Sequence, residues 1–262
     1  MKPILETRDL TIAFGGHTAV NGVDLMVPPR HFKSIIGPNG AGKTTFFNLL
    51  SGELKPTRGT VLFKEQDVTQ LSPHARTRLG IGRSFQITNV FPNLTALENV
   101  RLAVQSREGI RYNFFRHFSS FRRLEEESKE LLHTVLLSGV AGTPARMLAH
   151  GEKRKLEIAM LLALNAELLL ALNAELLLLD EPTAGISMEE VPAILEVIRG
   201  IKERGDRSIV LIEHKMEMVL DLSDSLTVLF NGKLLADGSP QEIMNNELVQ
   251  SAYLGGFYDD AS

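Results

Sequence analysis

The chain has 262 residues, 44% of them hydrophobic and 23% charged, enough for one large α/β domain with room for an insertion. A formal net charge of −4 argues against nucleic acid or an anionic membrane as a whole-surface partner, while leaving a local basic patch open. With no cysteine, a disulfide framework and a thiolate metal or redox site are excluded, as expected of a cytosolic chain.

The opening MKPILETRDL carries Glu6 and Asp9 and no long apolar run, so it does not read as a signal peptide. Residues 4–36 read as short strands: Leu10–Phe14, then the Gly15-Gly16 turn, Val23–Val27, the Pro28-Pro29 break, and Phe32–Ile36. Next comes Gly37-Pro38-Asn39-Gly40-Ala41-Gly42-Lys43-Thr44-Thr45, a G-x-x-x-x-G-K-[ST] loop set between a strand and a helix. Gly37, Gly40 and Gly42 let the backbone turn its N–H groups inward around phosphate oxygens, and the helix N-terminus adds partial positive charge. Lys43 is expected to reach the β- and γ-phosphates, and the Thr44 hydroxyl to bind Mg²⁺. A helix over 43–51 is closed by Gly52, and Lys55–Gly59 turns into a strand at Thr60–Phe63.

From about Ser72 to Leu148 the pattern is mostly helical, with helices near 95–105 and 123–137 around a linker-like Ser106–Arg123. That linker interleaves cations and aromatics. Three readings stay open for it: a face toward membrane headgroups or a membrane-embedded partner, a plain surface loop, and single-stranded nucleic acid. Leu148-Ala149-His150-Gly151-Glu152 leads into a helix over Lys153–Leu164; Gly151 before a helix start offers another anion-binding terminus, though alone it is an ordinary junction.

Ile158–Leu179 is very apolar, but Asn165, Glu167, Asn173 and Glu175 interrupt it. An acidic residue near the centre of a membrane helix costs roughly 2.5–3.5 kcal/mol, so the segment reads as soluble core. It contains a tandem repeat, ALNAELLL at 163–170 and again at 171–178, too short for a solenoid. Continuing as helix, the extra copy would add about 12 Å and roughly 80° of rotation. The expectation is a helix extended through the first copy, with the second supplying the strand.

Leu176–Leu179 is a buried parallel strand carrying Asp180 and Glu181 at its C-terminal end, where open α/β sheets place ligands. Asp180 suits a Mg²⁺ shell, and Glu181 is placed to polarise an attacking water. His214 directly follows the strand over 209–213, and Leu226–Phe230 is a further strand. Alternation of strands and helices on both sides of a helical stretch gives an α/β fold with a mostly parallel sheet and a helical insertion. With the loop at 37–45, the expected fold is a P-loop NTPase core with an N-terminal antiparallel β part and an inserted helical subdomain. The division expected is a core of about 1–88 and 152–240, a helical subdomain of about 89–151, and a C-terminal helical tail of about 241–262.

The order of P-loop, Arg83-Ser-Phe-Gln86, the Gly151 junction, Asp180-Glu181 and His214 resembles the nucleotide-binding subunit of ABC transporters over essentially the whole chain. Leu148–Ala159, the Ser106–Arg123 insertion and the ending Ala252-Tyr-Leu-Gly255 are similar to ATPases of the branched-chain amino-acid uptake type. The resemblance implies ATP and Mg²⁺ as cofactors, hydrolysis coupled to transport, and a peripheral place at the cytoplasmic face of the inner membrane. It implies that Phe14 stacks on adenine, and that Gln86 joins the Mg²⁺ shell and couples it to the permease. Glu181 becomes the catalytic carboxylate, with His214 contacting the γ-phosphate. Gly151 closes over the ATP of a second ATP-binding subunit, identical or paralogous. Permease subunits are then the direct partners and a solute-binding protein an indirect one, with no role for nucleic acid. Export of lipid or lipopolysaccharide, or a non-transport nucleotide switch, is the alternative use of the same motifs. The sequence departs from the family signature at Ala149, where serine is usual, and lacks the aspartate often found in the loop after Pro182.

Overall fold

A computed structural model describes residues 2–83, 90–107, 118–165, 175–184 and 191–252. Four strands form an antiparallel sheet in the order β2-β1-β4-β5: β1 (Leu5–Phe14), β2 (His17–Val27), β4 (Arg58–Phe63) and β5 (Gln66–Asp67). Both β1 and β2 run longer than their apolar patterns suggest. Register shifts at Thr7/Leu10, Leu10/Ile12 and Ile12/Ala13 interrupt the strict in–out alternation from which strand length is read.

The second sheet has the order β10-β9-β3-β8-β7-β6, from β3 (Phe32–Ile36), β6 (Ile81–Arg83), β7 (Leu176–Asp180), β8 (Ser208–Ile212), β9 (Ser225–Phe230) and β10 (Lys233–Gly238). Every pairing in it is parallel except β10 against β9. The sheet is covered on both faces, which is why Leu176–Leu179 of β7 and Ile209–Ile212 of β8 are apolar without alternation. Along β7, Leu176 and Leu178 face the antiparallel sheet and α1 (Lys43–Ser51). Leu177 and Leu179 face the helical side, built from α3 (Ala96–Arg107), α4 (Phe118–Thr134), α5 (His150–Asn165) and α6 (Val191–Glu203). Each of these buried leucines contributes roughly 1.5–3 kcal/mol relative to exposure. Helices α2 (Pro73–Leu79), α7 (Met216–Leu222) and α8 (Pro240–Met244) complete the described elements, and none of the described helices is long and apolar enough to cross a membrane.

The helix that follows the P-loop is held at its far end by a buried cation. Gly52 caps α1 in the left-handed conformation (φ 86°), and a Cβ there would lie 2.8 Å from Arg76 Nε. Arg76, fully buried, donates from Nη1 to the carbonyls of Leu49 and Leu50, both at 2.7 Å, and from Nη2 to Thr69 O at 2.9 Å. Those are the carbonyls a helix C-terminus leaves without partners, and the positive charge complements the helix dipole.

Of the tandem repeat, α5 takes Ala163 to Asn165 and β7 takes Leu176 to Leu178; residues 166–174 lie outside the described residues, so the course of the extra copy does too. Because the copies are identical, deleting 163–170 puts Ala171-Leu172-Asn173 at the end of α5. It leaves Ala174 and Glu175 as the link to β7, within the roughly 2–6 residues typical of such connections. The deletion variant is expected to keep ATP turnover and to hold or raise the melting temperature. Loss of folding or of turnover would make the extra copy part of the working structure.

Candidate functional site

The P-loop joins β3 to α1 at the C-terminal ends of the parallel strands. At Gly42, with φ 94°, a Cβ would sit 2.4 Å from Ala19 O, and at Gly37 2.1 Å from Leu229 O; only glycine fits at either. Gly42 O starts the helix by accepting from Phe46 N–H at 2.8 Å. Lys43 is 6% exposed, and its ammonium donates back into the loop, to Gly37 O at 2.8 Å and Pro38 O at 2.9 Å. Burial pulls the Lys43 pKa down, while Glu181 and Asp180 oppose that shift.

Asn39 through Thr45 line a cleft of about 320 Å³, with His17 and Ala19 of β2 on one side and Glu181 and His214 on the other. The cleft thus joins residues from four separate stretches of sequence. Gly37 and Pro38 take part through the carbonyls that orient Lys43. The His214 imidazole Nε2 lies 3.0 Å from Glu181 Oε1. Asp180, one residue earlier and with no exposed surface, receives a 2.9 Å hydrogen bond from Arg83 Nη2. Arg83 also donates to Asn48 Oδ1 at 2.6 Å and Ser51 Oγ at 2.8 Å, so one guanidinium ties β6, α1 and β7 together. Burial raises the Asp180 pKa, and Arg83 counteracts it.

Glu181 itself has a left-handed backbone (φ 44°), an uncommon conformation for a non-glycine residue. Its N–H donates to Ile212 O at 2.9 Å. The Arg154 guanidinium, on α5, donates to the carbonyls of Asp180 (3.0 Å) and Glu181 (3.2 Å) and pairs with Glu157. A strained turn that projects a carboxylate into the cleft is therefore held from both neighbouring elements.

Other expected positions stand apart. Phe14 lies at the end of β1, 48% exposed, and does not line this cleft. Gln86 lies outside the described residues, as does the interior of the cation–aromatic stretch between α3 and α4. Gly151 does not precede its helix, as expected, but is the second residue of α5, because Lys153 N–H already bonds to Ala149 O at 2.9 Å. It still belongs to the first turn, whose N–H groups have no partners within the helix. Glu152 accepts from Ala149 N–H at 2.9 Å, one half of a capping box whose other half needs the hydroxyl that alanine lacks. Arg83 and Arg154 lie inside the stretches Arg83–Gln86 and Leu148–Ala159, but nothing in those stretches signals these contacts, and no motif marks His17.

A family model described as ABC transporter matches residues 20–184, and one described as branched-chain amino acid ATP-binding cassette transporter matches 233–259. The chain is 38% identical over 261 residues to the high-affinity branched-chain amino acid transport ATP-binding protein BraF of Pseudomonas aeruginosa, covering 97% of this chain and 98% of that protein. Similarity to the lipopolysaccharide export system ATP-binding protein LptB of Acidithiobacillus ferridurans is 31% over 255 residues, covering 97% and 98%. Among solved structures, the ADP conformation of MJ1267, an ATP-binding cassette of an ABC transporter, matches with TM-score 0.80 and 27% identity, covering 97% of this chain and 100% of that one. The fold is also that of the dimeric cassette MJ0796, at TM-score 0.73 and 24% identity, covering 90% and 98%.

The buried carboxylate of Asp180 has a consequence for stability. Its folded-state pKa is raised, so the stability it contributes is fully present below its unfolded pKa and is lost as pH rises through the folded value. Asp180→Asn removes that dependence. The melting temperature of Asp180→Asn relative to the parent chain is expected to climb between pH 4 and pH 7; a difference constant over that range contradicts the assigned shift.

Proposed function

The chain belongs to the ABC transporter family as an ATP-binding, ATP-hydrolysing subunit, and from that premise we propose that the P-loop cleft powers uptake of branched-chain amino acids or related small polar solutes through a partner permease. The observation that carries the site reading is the meeting of the P-loop with Glu181 and His214 in one cleft, the latter two 3.0 Å apart.

In this reading the N–H groups of Asn39 to Thr45 and the Lys43 ammonium hold the β- and γ-phosphates. Thr44 and Asp180 supply hard oxygen donors of the kind Mg²⁺ takes, one hydroxyl and one carboxylate beside substrate phosphates, and Gln86 is the third candidate. When bound, Mg²⁺ neutralises charge on the phosphates. Glu181 accepts a hydrogen bond from the attacking water and orients it toward the γ-phosphorus, while His214 steadies Glu181 and the γ-phosphate. Phe14 provides the adenine stack, its exposed ring at the sheet margin being free to receive a base.

Gly151 and the first turn of α5 are read as closing over ATP held by a second ATP-binding subunit, which makes two composite sites per dimer. The helical insertion of about 89–151 faces the permease, and the chain sits peripherally at the cytoplasmic face of the membrane. A solute-binding protein is engaged only through the permease; nucleic acid is not a partner. The branched-chain match at 233–259 favours uptake over the lipopolysaccharide-export reading.

Glu181→Gln is expected to retain ATP affinity while turnover falls about a hundredfold or more, since only the group acting on water is lost. Lys43→Ala is expected to weaken binding itself by fluorescence titration. Sedimentation of Glu181→Gln with Mg²⁺-free ATP is expected to show an ATP-dependent dimer. Turnover at the parent rate in Glu181→Gln defeats the assignment, and a strictly monomeric protein defeats the identical-subunit composite site.

A further inference from the structure

One buried carboxylate joins the two loops that bear Glu181 and His214, and neither motif includes it. Glu213, the residue after β8, is 4% exposed. Its Oε1 accepts from the backbone N–H of Thr183 at 3.0 Å and from the Thr183 hydroxyl. Its Oε2 accepts from the backbone N–H of His214 at 2.9 Å and, more weakly, from that of Lys215 at 3.4 Å. An ionised carboxylate is an acceptor only, with about four lone-pair sites, and here four donors converge on it. Two donors belong to the turn after β7 and two to the turn after β8. The strands pair in parallel with Asp180 opposite Ile212, so both turns leave the sheet at the same level, with Glu213 one residue past β8 and Thr183 three past β7.

We propose that Glu213 is a positioning residue for ATP hydrolysis: its carboxylate clamps the Glu181 turn to the His214 turn and thereby fixes the 3.0 Å approach of the two side chains over the P-loop. The proposal rests on the reading of this cleft as the hydrolytic site. Glu181 needs such a clamp because its own backbone is held at φ 44°, a conformation that relaxes unless its surroundings over-determine it. Only a carboxylate of this length serves. Glutamine keeps an acceptor toward Thr183 but points an N–H₂ group at the two N–H donors of His214 and Lys215. Aspartate is shorter by about one C–C bond, ~1.5 Å, and cannot reach both turns. Glu213 touches neither phosphate nor water in this account, so its loss is read in the rate and not in binding.

The test uses the full chain with Mg²⁺-ATP. Glu213→Gln is expected to lower kcat about ten- to a hundredfold, with KM and ATP affinity changed by less than about twofold. Thr183→Val is expected to lower kcat several-fold, and Thr183→Ser, which keeps the hydroxyl, to recover it. In a Glu181→Gln background, Glu213→Gln is expected to cost less than about twofold of the residual rate, because the clamp works through the group already removed. Parental kcat in Glu213→Gln overturns the proposal, as does a parallel collapse of ATP affinity or a full further loss in the double variant. Should Glu213→Gln fail to fold, the Thr183 pair decides, and equal rates in Val and Ser overturn it. Parental turnover in Glu181→Gln removes the site reading and the clamp together; an inactive Glu181→Gln beside a fully active Glu213→Gln removes the clamp alone.

Discussion

Everything in this molecule depends on three adjacent parallel strands ending at one edge. β3, β8 and β7 pair so that Ile35 lies opposite Ile212, and Ile212 opposite Asp180. The residues that follow, Gly37 to Thr45, Glu213-His214 and Glu181, therefore emerge side by side although nearly 180 positions separate the first from the last. A parallel pair cannot be closed by a tight turn, so each strand needs a crossover that covers a face of the sheet. The helices that result bury β7 completely and leave it no polar side chain until Asp180. Apolar burial drives the sheet, and the sheet sets the chemistry.

A second device recurs at the ends of strands and helices, where buried cations donate to backbone carbonyls. Lys43 answers Gly37 and Pro38, Arg76 answers Leu49 and Leu50 at the end of the P-loop helix, and Arg154 answers Asp180 and Glu181. Hydrogen bonds from a charged donor are worth about twice neutral ones, which helps offset the cost of burying the cation. The cost is still visible: burial pulls the Arg76 pKa to about 10, which leaves it charged near neutrality. These head groups thus tie the ends of helices and strands at the site through hydrogen bonds, and Glu213 does the same with the opposite charge, collecting backbone N–H groups.

The P-loop, the Asp180-Glu181 pair and His214 were legible because each is a contiguous run whose residue types carry the chemistry locally. β3 was legible to the residue, Phe32–Ile36, from its apolar ends and the motif loop that follows it, although Lys33 and Ser34 are buried within it. β1 and β2 were not, because bulges break their alternation and surface pairs such as Arg8 with Glu6 look like loop. The start of α5 was placed at Lys153, three residues late, because Ala149 gives no side-chain capping cue. Arg83, Arg154 and Glu213 were invisible for a different reason. Their roles are long-range contacts to backbone or to a buried carboxylate, and no sequence spacing encodes those.

The central claim is that one cleft holds the ATP phosphates against Glu181 and His214. A crystal structure of Glu181→Gln with ATP and Mg²⁺ tests it most directly. The account predicts β- and γ-phosphate oxygens within about 3 Å of Lys43 Nζ and of the P-loop N–H groups, and the γ-phosphate facing His214 and the substituted side chain. A triphosphate bound with its γ-phosphate turned away from the ends of β7 and β8 would contradict it.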